Sequence, residues 1–289
     1  MISEGRLARE FWIHGRSRTC PVIDMHGHMG EFRGIYFPRA STDAMIRTMD
    51  QCGVKLLVFC HHAALFNPQI GNAANVEAVR RYPDRLRAYL AINPHYPDMI
   101  KRDLASFDRH ADVYAGLKIL AGYYGVSWDA PAFRPAWEFA NERGLPVLGH
   151  TWGGSRCDGP DQVRYVATRY PNVKLLCGHS VFGDWDQAVA LARDFENVYL
   201  ELTAVLGVRG PLERFVSAGL SHKLLFGVAL PWFDPHQGIG AVLSAEITDE
   251  DRHMILHRNA ERLLRSAGLD VDALGVSRRR SGRKAAESE

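Results

Sequence analysis

What the sequence lacks narrows it first. No apolar run approaches the roughly 18 residues needed to cross a bilayer. The first stretch, Met1 to Arg18, mixes charges with aromatics where a signal peptide would carry an apolar core. A cytoplasmic protein with no membrane partner is the expectation. An excess of one charge is missing too: 35 Lys and Arg stand against 33 Asp and Glu, a formal net charge of +2. Nothing in that balance calls for nucleic acid, and a small molecule is the expected partner. The 5 cysteines, Cys20, Cys52, Cys60, Cys157 and Cys177, are odd in number and contain no C-x-x-C pair. They give no sign of a disulfide framework or zinc knuckle and read as reduced, mostly buried thiols.

What is present fits one large α/β domain. The chain has 289 residues, 46% hydrophobic and 24% charged, enough for a sizeable single core. Short apolar or β-branched runs begin near Val22, Val54, Arg87, Ala115, Pro146, Val173, Val198 and Leu224, spaced by roughly 25 to 33 residues. Helical patterns lie between them. Eight such units predict a (β/α)₈ TIM barrel over residues 20–267. Thr42 to Cys52 is closed by Gly53 and Pro135 to Arg143 by Gly144, as helix C-termini prefer. Arg81-Tyr82-Pro83 and Arg169-Tyr170-Pro171 read as matching helix ends, because proline disfavours helical geometry in the residue before it. After the eighth strand, helices are expected over Gly238 to Ser244 and Asp249 to Ala267, with Thr248 and Asp251 as a start signal. Residues 1–19 are expected to form a lead-in with a short helix within Ser3 to Thr19. Residues 268–289 are expected to be a polar, disordered tail in which Arg278-Arg279-Arg280 is a solvated run.

A barrel places its chemistry at the C-terminal ends of its strands. Of 13 histidines, seven, namely His26, His28, His61, His62, His95, His150 and His179, fall at or just after a predicted strand, where chance placement would put only one or two, roughly. The strongest local signal is Val22-Ile23-Asp24-Met25-His26-Gly27-His28, a strand running into H-x-H. Strand alternation turns both imidazoles to one face and Met25 and Gly27 to the other. Imidazole suits zinc and similar ions. An isolated H-x-H would read as ordinary loop histidines, but His150 and His179 end the next predicted strands around the same mouth.

These residues resemble the amidohydrolase superfamily, and within it the amidohydrolase-related branch that includes the aminocarboxymuconate-semialdehyde decarboxylase group. The marks span about residues 20–265: Asp24-Met25-His26-Gly27-His28, Gly116-Leu117-Lys118, His150-Thr151-Trp152-Gly153, Gly178-His179, and Leu225-Phe226-Gly227 leading to Pro231. The resemblance implies that His26, His28 and His150 bind a divalent metal, usually zinc with manganese compatible, and that His179 lies beside the metal or substrate as a catalytic residue. Lys118 is expected either to touch substrate or to be an inward lysine paired with an acid. Phe66, His95, Tyr123, Tyr124, Trp152, Arg156 and Trp232 are candidates to shape the pocket. Trp152 and Arg156 stand out for substrate binding, the guanidinium as a carboxylate clamp.

One departure from the family is sharp. The eighth strand normally ends in G-x-D-x-P, whose aspartate implies a metal ligand and a base for the attacking water. Here the run is Gly227-Val228-Ala229-Leu230-Pro231, with Ala229 at the aspartate position. An inactivating substitution, a natural pseudoenzyme and chemistry that needs no base there all remain open. Retention of the other site residues favours the first. The expected function is metal-dependent hydrolysis of a small amide, lactone or other ester, impaired by Ala229. The alternatives are non-oxidative decarboxylation and a non-catalytic metal- or ligand-binding protein. A homo-oligomer is compatible with the sequence but not specified by it.

Overall fold

A computed structural model describes residues 5–17 and 19–272. Eight strands follow one another around a single parallel sheet: β1 (Val22–Met29), β2 (Val54–His61), β3 (Leu86–Ile92), β4 (Tyr114–Ile119), β5 (Pro146–Trp152), β6 (Lys174–Phe182), β7 (Val198–Glu201) and β8 (Leu224–Leu225). The ring closes where the Met25 amide donates to the Phe226 carbonyl (2.9 Å) and the His28 amide to the Leu230 carbonyl (2.7 Å). This is the (β/α)₈ TIM barrel that the spacing of apolar runs predicts. Five predicted strand starts coincide with the observed ones, and Arg87, Ala115 and Val173 each lie one residue away.

Both faces of the strands are buried, which is why they read as near-continuous apolar runs. Along β2, Leu57 and Phe59 join the layer between strands and helices, while Leu56, Val58 and Cys60 fill the interior. Outward packing of Leu117 and Ile119 leaves Lys118 between them pointing inward from β4.

The helix stops are chemical. Gly53 (φ 78°) and Gly144 (φ 63°) end Thr42–Cys52 and Arg134–Arg143 in left-handed geometry that costs glycine nothing. Tyr82 and Tyr170, each before a proline, leave helical geometry with ψ of 61° and 67°. Among its described residues the lead-in forms the helix Arg6–His14. After β8 come Pro235–Ser244 and then Asp249–His253, whose Thr248 and Asp251 form a reciprocal capping box.

The single helix predicted over Asp249 to Ala267 is interrupted by a π turn, Met254–Arg258, before Asn259–Ser266. There the Ile255 carbonyl accepts from the Phe226 amide at the end of β8 (3.2 Å), which ties the helix to the barrel seam. Apolar packing continues to Leu269 and Val271, both buried against the barrel floor. The Arg278 to Arg280 run lies outside the described residues. All five cysteines are free, four of them buried and Cys157 partly exposed. Among the described residues no helix is long and apolar enough to cross a membrane.

Candidate metal centre

The first strand delivers two histidines by an irregularity. Pairing of β1 with β2 shifts register between Asp24 and Gly27, and the His26 amide donates to Asp24 Oδ1 (2.9 Å). Met25 packs with Ile23 in the barrel interior, whereas a Cβ on Gly27 would meet Leu57 in the outer layer. Simple alternation, which would turn Met25 and Gly27 the same way, is therefore broken by the shift. His150 comes from within β5 and His179 from within β6. Ring centroids are 5.3 Å apart for His26 and His28, 5.5 Å for His26 and His150, and 4.5 Å for His150 and His179. One ring nitrogen from each of His26, His28 and His150 lies within 4.8 Å of the other two.

Hydrogen bonds settle how His26 is protonated. His26 Nδ1–H donates to Glu201 Oε2 (2.8 Å), and Lys118 Nζ donates to His26 Nε2 (2.7 Å). Burial holds His26, His28 and His150 well below the usual histidine range, with the nearby Lys118 charge adding to it, so the rings are neutral. Burial also pulls Lys118 down to about 7. For Glu201, burial raises the carboxyl, but it accepts from four donors: His26 Nδ1, the His179 amide (3.3 Å), the Thr203 amide (2.8 Å) and Thr203 Oγ1 (2.6 Å). A carboxylate so surrounded is held as the anion.

Orphaned nitrogens point to what is wanted here. His28 Nδ1, both nitrogens of His150 and His179 Nε2 are buried without a protein partner, each a cost of about 1 to 3 kcal/mol if left unmet. Three neutral imidazoles with free lone pairs suit a divalent transition ion. For a metal to use His26 Nε2, Lys118 must give up its bond to that atom.

His179 sits in a strained segment. His179, Ser180 and Val181 have φ of 68°, 51° and 54°, unusual for any non-glycine and most of all for the β-branched valine. Neighbours over-determine them: Ser180 Oγ donates to the Glu201 carbonyl (2.8 Å), and the Val181 amide donates to Thr151 Oγ1 (2.8 Å). His179 Nδ1–H donates to the Thr203 carbonyl (3.1 Å), which leaves Nε2 as the free lone pair.

Above the histidines is a cavity of about 170 Å³, walled by His28, Phe32, His62, Leu65, Tyr123, His150, Trp152, His179, Ala204, Ala229, Trp232 and Phe233. Trp152 stacks on His179 at 4.6 Å, and His62 lies parallel to His28 at 4.8 Å. His62 is locked, donating from Nδ1 to the Gly30 carbonyl (2.6 Å) and accepting from Trp232 Nε1 (3.0 Å).

Of the residues singled out from sequence, His28, His62, Tyr123, His150, Trp152, His179, Ala229 and Trp232 line this cavity. Lys118 does not; it lies behind His26. Arg156 is not brought to it either: Ser155 Oγ accepts from the Cys157 and Asp158 amides, and the turn leaves Arg156 exposed. Phe66, His95 and Tyr124 also fall outside the lining, with His95 Nε2 on the Tyr124 carbonyl (3.0 Å). Neither neighbouring aspartate lines the cavity beside Ala229. Asp234 caps the helix Pro235–Ser244 through the His236 amide, and burial lifts Asp24 well above the usual carboxylate range. Sequence reasoning missed Glu201, Phe32, Phe233 and the role of His62. The signal for Glu201 was available, as an acid closing the apolar run Val198-Tyr199-Leu200 at a strand's C-terminal end.

No curated protein matches the sequence. Solved structures are similar in fold. An uncharacterised TIM-barrel protein of Bordetella bronchiseptica superposes with a TM-score of 0.71 at 20% identity, covering 86% of this chain and 100% of that one. A 2,6-dihydroxybenzoate decarboxylase from Rhizobium gives 0.68 at 15% identity over 86% and 99%. A 5-carboxyvanillate decarboxylase from Novosphingobium aromaticivorans, complexed with manganese and 4-hydroxy-3-methoxy-5-nitrobenzoic acid, gives 0.68 at 13% identity over 86% and 96%. A family model described as Amidohydrolase matches residues 23–266, which takes in all eight strands but for Val22 at the start of β1, and all four clustered histidines. By that match over most of its length, with the barrel it describes, the chain belongs to the amidohydrolase family.

Proposed function

We propose that this chain is a metal-dependent enzyme for non-oxidative decarboxylation of a small, single-ring aromatic acid, and that hydrolysis is the weaker reading. One observation carries this: the cavity is walled by aromatic and imidazole rings, and no carboxylate is among the described residues that line it. Hydrolysis needs a base to take a proton from water, and Ala229 offers none. Decarboxylation uses no water. The cavity's size fits, since a cavity of about 150 Å³ accepts benzene. The solved 2,6-dihydroxybenzoate and 5-carboxyvanillate decarboxylases that share its fold support the same chemistry.

In this reading His26, His28 and His150 hold the metal, and Glu201 fixes His26 by accepting from Nδ1. A divalent ion held there, zinc or manganese, would supply positive charge to stabilise the negative charge of the substrate. Trp152, Trp232 and Phe32 exclude water and orient the ring. His179 Nε2, neutral because burial lowers it to about 4, accepts the proton of an ortho hydroxyl and delivers it to the ring carbon bearing the carboxylate. The carbon–carbon bond then breaks, its electron pair restores the aromatic ring, and CO₂ leaves.

The test is product analysis. Protein reconstituted with zinc or manganese is incubated with 2,6-dihydroxybenzoate, 5-carboxyvanillate and a panel of lactones and amides. Release of CO₂ with the matching arene is expected. Water incorporated into a lactone or amide, with no CO₂ from any aromatic acid, would overturn the reading. Ala229 also favours a second one, a ligand-binding protein without turnover, which predicts tight binding of an aromatic acid and no CO₂.

A further inference from the structure

We propose that Cys20, His253 and His257 form a second metal site, for Zn²⁺, at the end of the barrel opposite the histidine cluster. One donor atom from each, the thiol sulfur and two ring nitrogens, lies within 4.8 Å of the others. Cys20 precedes β1, so it sits at the N-terminal end of the barrel. The two histidines come from the closing helical run, anchored at the same end by Asn259 Nδ2, which donates to the Ser221 and Leu224 carbonyls (2.7 and 2.8 Å).

Three features make this a built site. His253 and His257 are four apart on one helical run, the spacing that sets two imidazoles on one face for a single ion. His257 Nδ1–H donates to Glu261 Oε1 (3.1 Å), the carboxylate–histidine pairing that fixes a ligand's tautomer and leaves Nε2 for the metal. The π turn Met254–Arg258 begins right after His253 and contains His257, a local departure from α geometry of the kind found at functional sites. A hydrogen-bonded relay, with His253 Nδ1–H on His257 Nε2 at 3.0 Å, accounts for the imidazoles and Glu261. It does not account for the buried thiol that converges with them, which donates to the carbonyl of the adjacent Pro21 (3.5 Å) rather than to the imidazoles.

Two imidazoles and a thiolate suit Zn²⁺, and three protein ligands leave a fourth position for water. Binding releases one proton, from the Cys20 thiol. The His253 proton moves from Nδ1 to Nε2, so neither imidazole loses charge balance. His253 is half-buried, giving the ion access from solvent. The consequence is mechanical: β8 is two residues long, and the ion would tie the start of β1 to the helix behind β8 across the shortest seam of the barrel.

Cobalt titration of the full chain tests this, because the histidine cluster contains no thiolate. A thiolate-to-Co²⁺ charge-transfer band is expected, retained in His26→Ala/His28→Ala and abolished in Cys20→Ser. His253→Gln should weaken Co²⁺ binding at this band by about tenfold or more, and this variant carries the test if Cys20→Ser fails to fold. In the His26→Ala/His28→Ala chain, Zn²⁺ should raise Tm by roughly 3 °C or more. Absence of the band, or its survival in Cys20→Ser or unweakened in His253→Gln, overturns the proposal.

Discussion

His26 and Glu201 are 175 residues apart in sequence and 2.8 Å apart in the barrel, Nδ1 to Oε2, with both side chains fully buried. The carboxylate fixes which His26 nitrogen carries the proton and so which one can face a metal. It also gathers the His179 amide and both Thr203 donors. Glu201→Gln, nearly isosteric, should keep the fold but weaken zinc binding by about 10- to 100-fold. Glu201→Ala, which strands those donors, should also cost about 3 kcal/mol or more of stability. Metal titration and thermal melts of the two variants separate the effects, and unchanged zinc affinity in Glu201→Gln would rule out the role.

The metal-free protein should be sensitive to acid well above the carboxylate range. His62 and His179 are both lowered from 6.5 to about 4, chiefly by burial. Between those values the unfolded chain binds more protons than the folded one, so stability rises with pH and is lost as pH falls from about 6.5 towards 4, at up to about 1.4 kcal/mol per pH unit for each group. Lys118, lowered from 10.5 to about 7 by burial, acts in the same direction above neutrality. Chelated protein melted at several pH values should gain Tm steadily from about pH 5 to pH 9. A flat Tm across this range would contradict the buried, neutral assignment.

His179 can be tested without breaking the backbone it sits on. At φ 68° an alanine would be strained and would leave the Thr203 carbonyl without its donor, so melting of His179→Ala confounds catalysis with stability. Asparagine tolerates left-handed geometry better than most residues. His179→Asn should melt within a few degrees of the parent yet lose about 10²- to 10⁴-fold in CO₂ release, the usual worth of a positioned proton carrier. Retained turnover in a folded His179→Asn would exclude the proton transfer assigned to it.

The barrel was legible because each strand is buried on two faces and several of the helices between them, Thr42–Cys52 and Arg134–Arg143 among them, are closed by a glycine or stopped before a proline. The histidines were legible because H-x-H and two further strand-borne histidines converge wherever the strands run in order. Glu201 went unseen because it is one acid on a four-residue strand, and its meaning comes from His26, a partner that only closure of the ring brings near. Arg156 was expected at the pocket because loop direction depends on the Ser155 turn, which apolar periodicity does not encode. The π turn was hidden for a related reason: the apolar face continues through Ile255, Leu256, Leu263 and Leu264 whichever hydrogen-bond register the backbone takes.

Ala229 offers the sharpest separation of the remaining chemistries. It lines the cavity beside His28, His150 and His179, at φ 50°, a conformation that aspartate adopts more readily than alanine. Ala229→Asp therefore adds a carboxylate to the site with no added backbone cost. Metal affinity should rise, because an anionic oxygen joins neutral imidazoles. The rates then divide the readings. Decarboxylation has no water to deprotonate, so CO₂ release should stay within about tenfold of the parent. Restoring a missing general base is worth about 10²- to 10⁴-fold, and a gain of that size in lactone or amide hydrolysis would mean that the chain is a hydrolase silenced at this position. Paired measurements of CO₂ release and hydrolysis in the parent and the variant, at saturating zinc, decide between them.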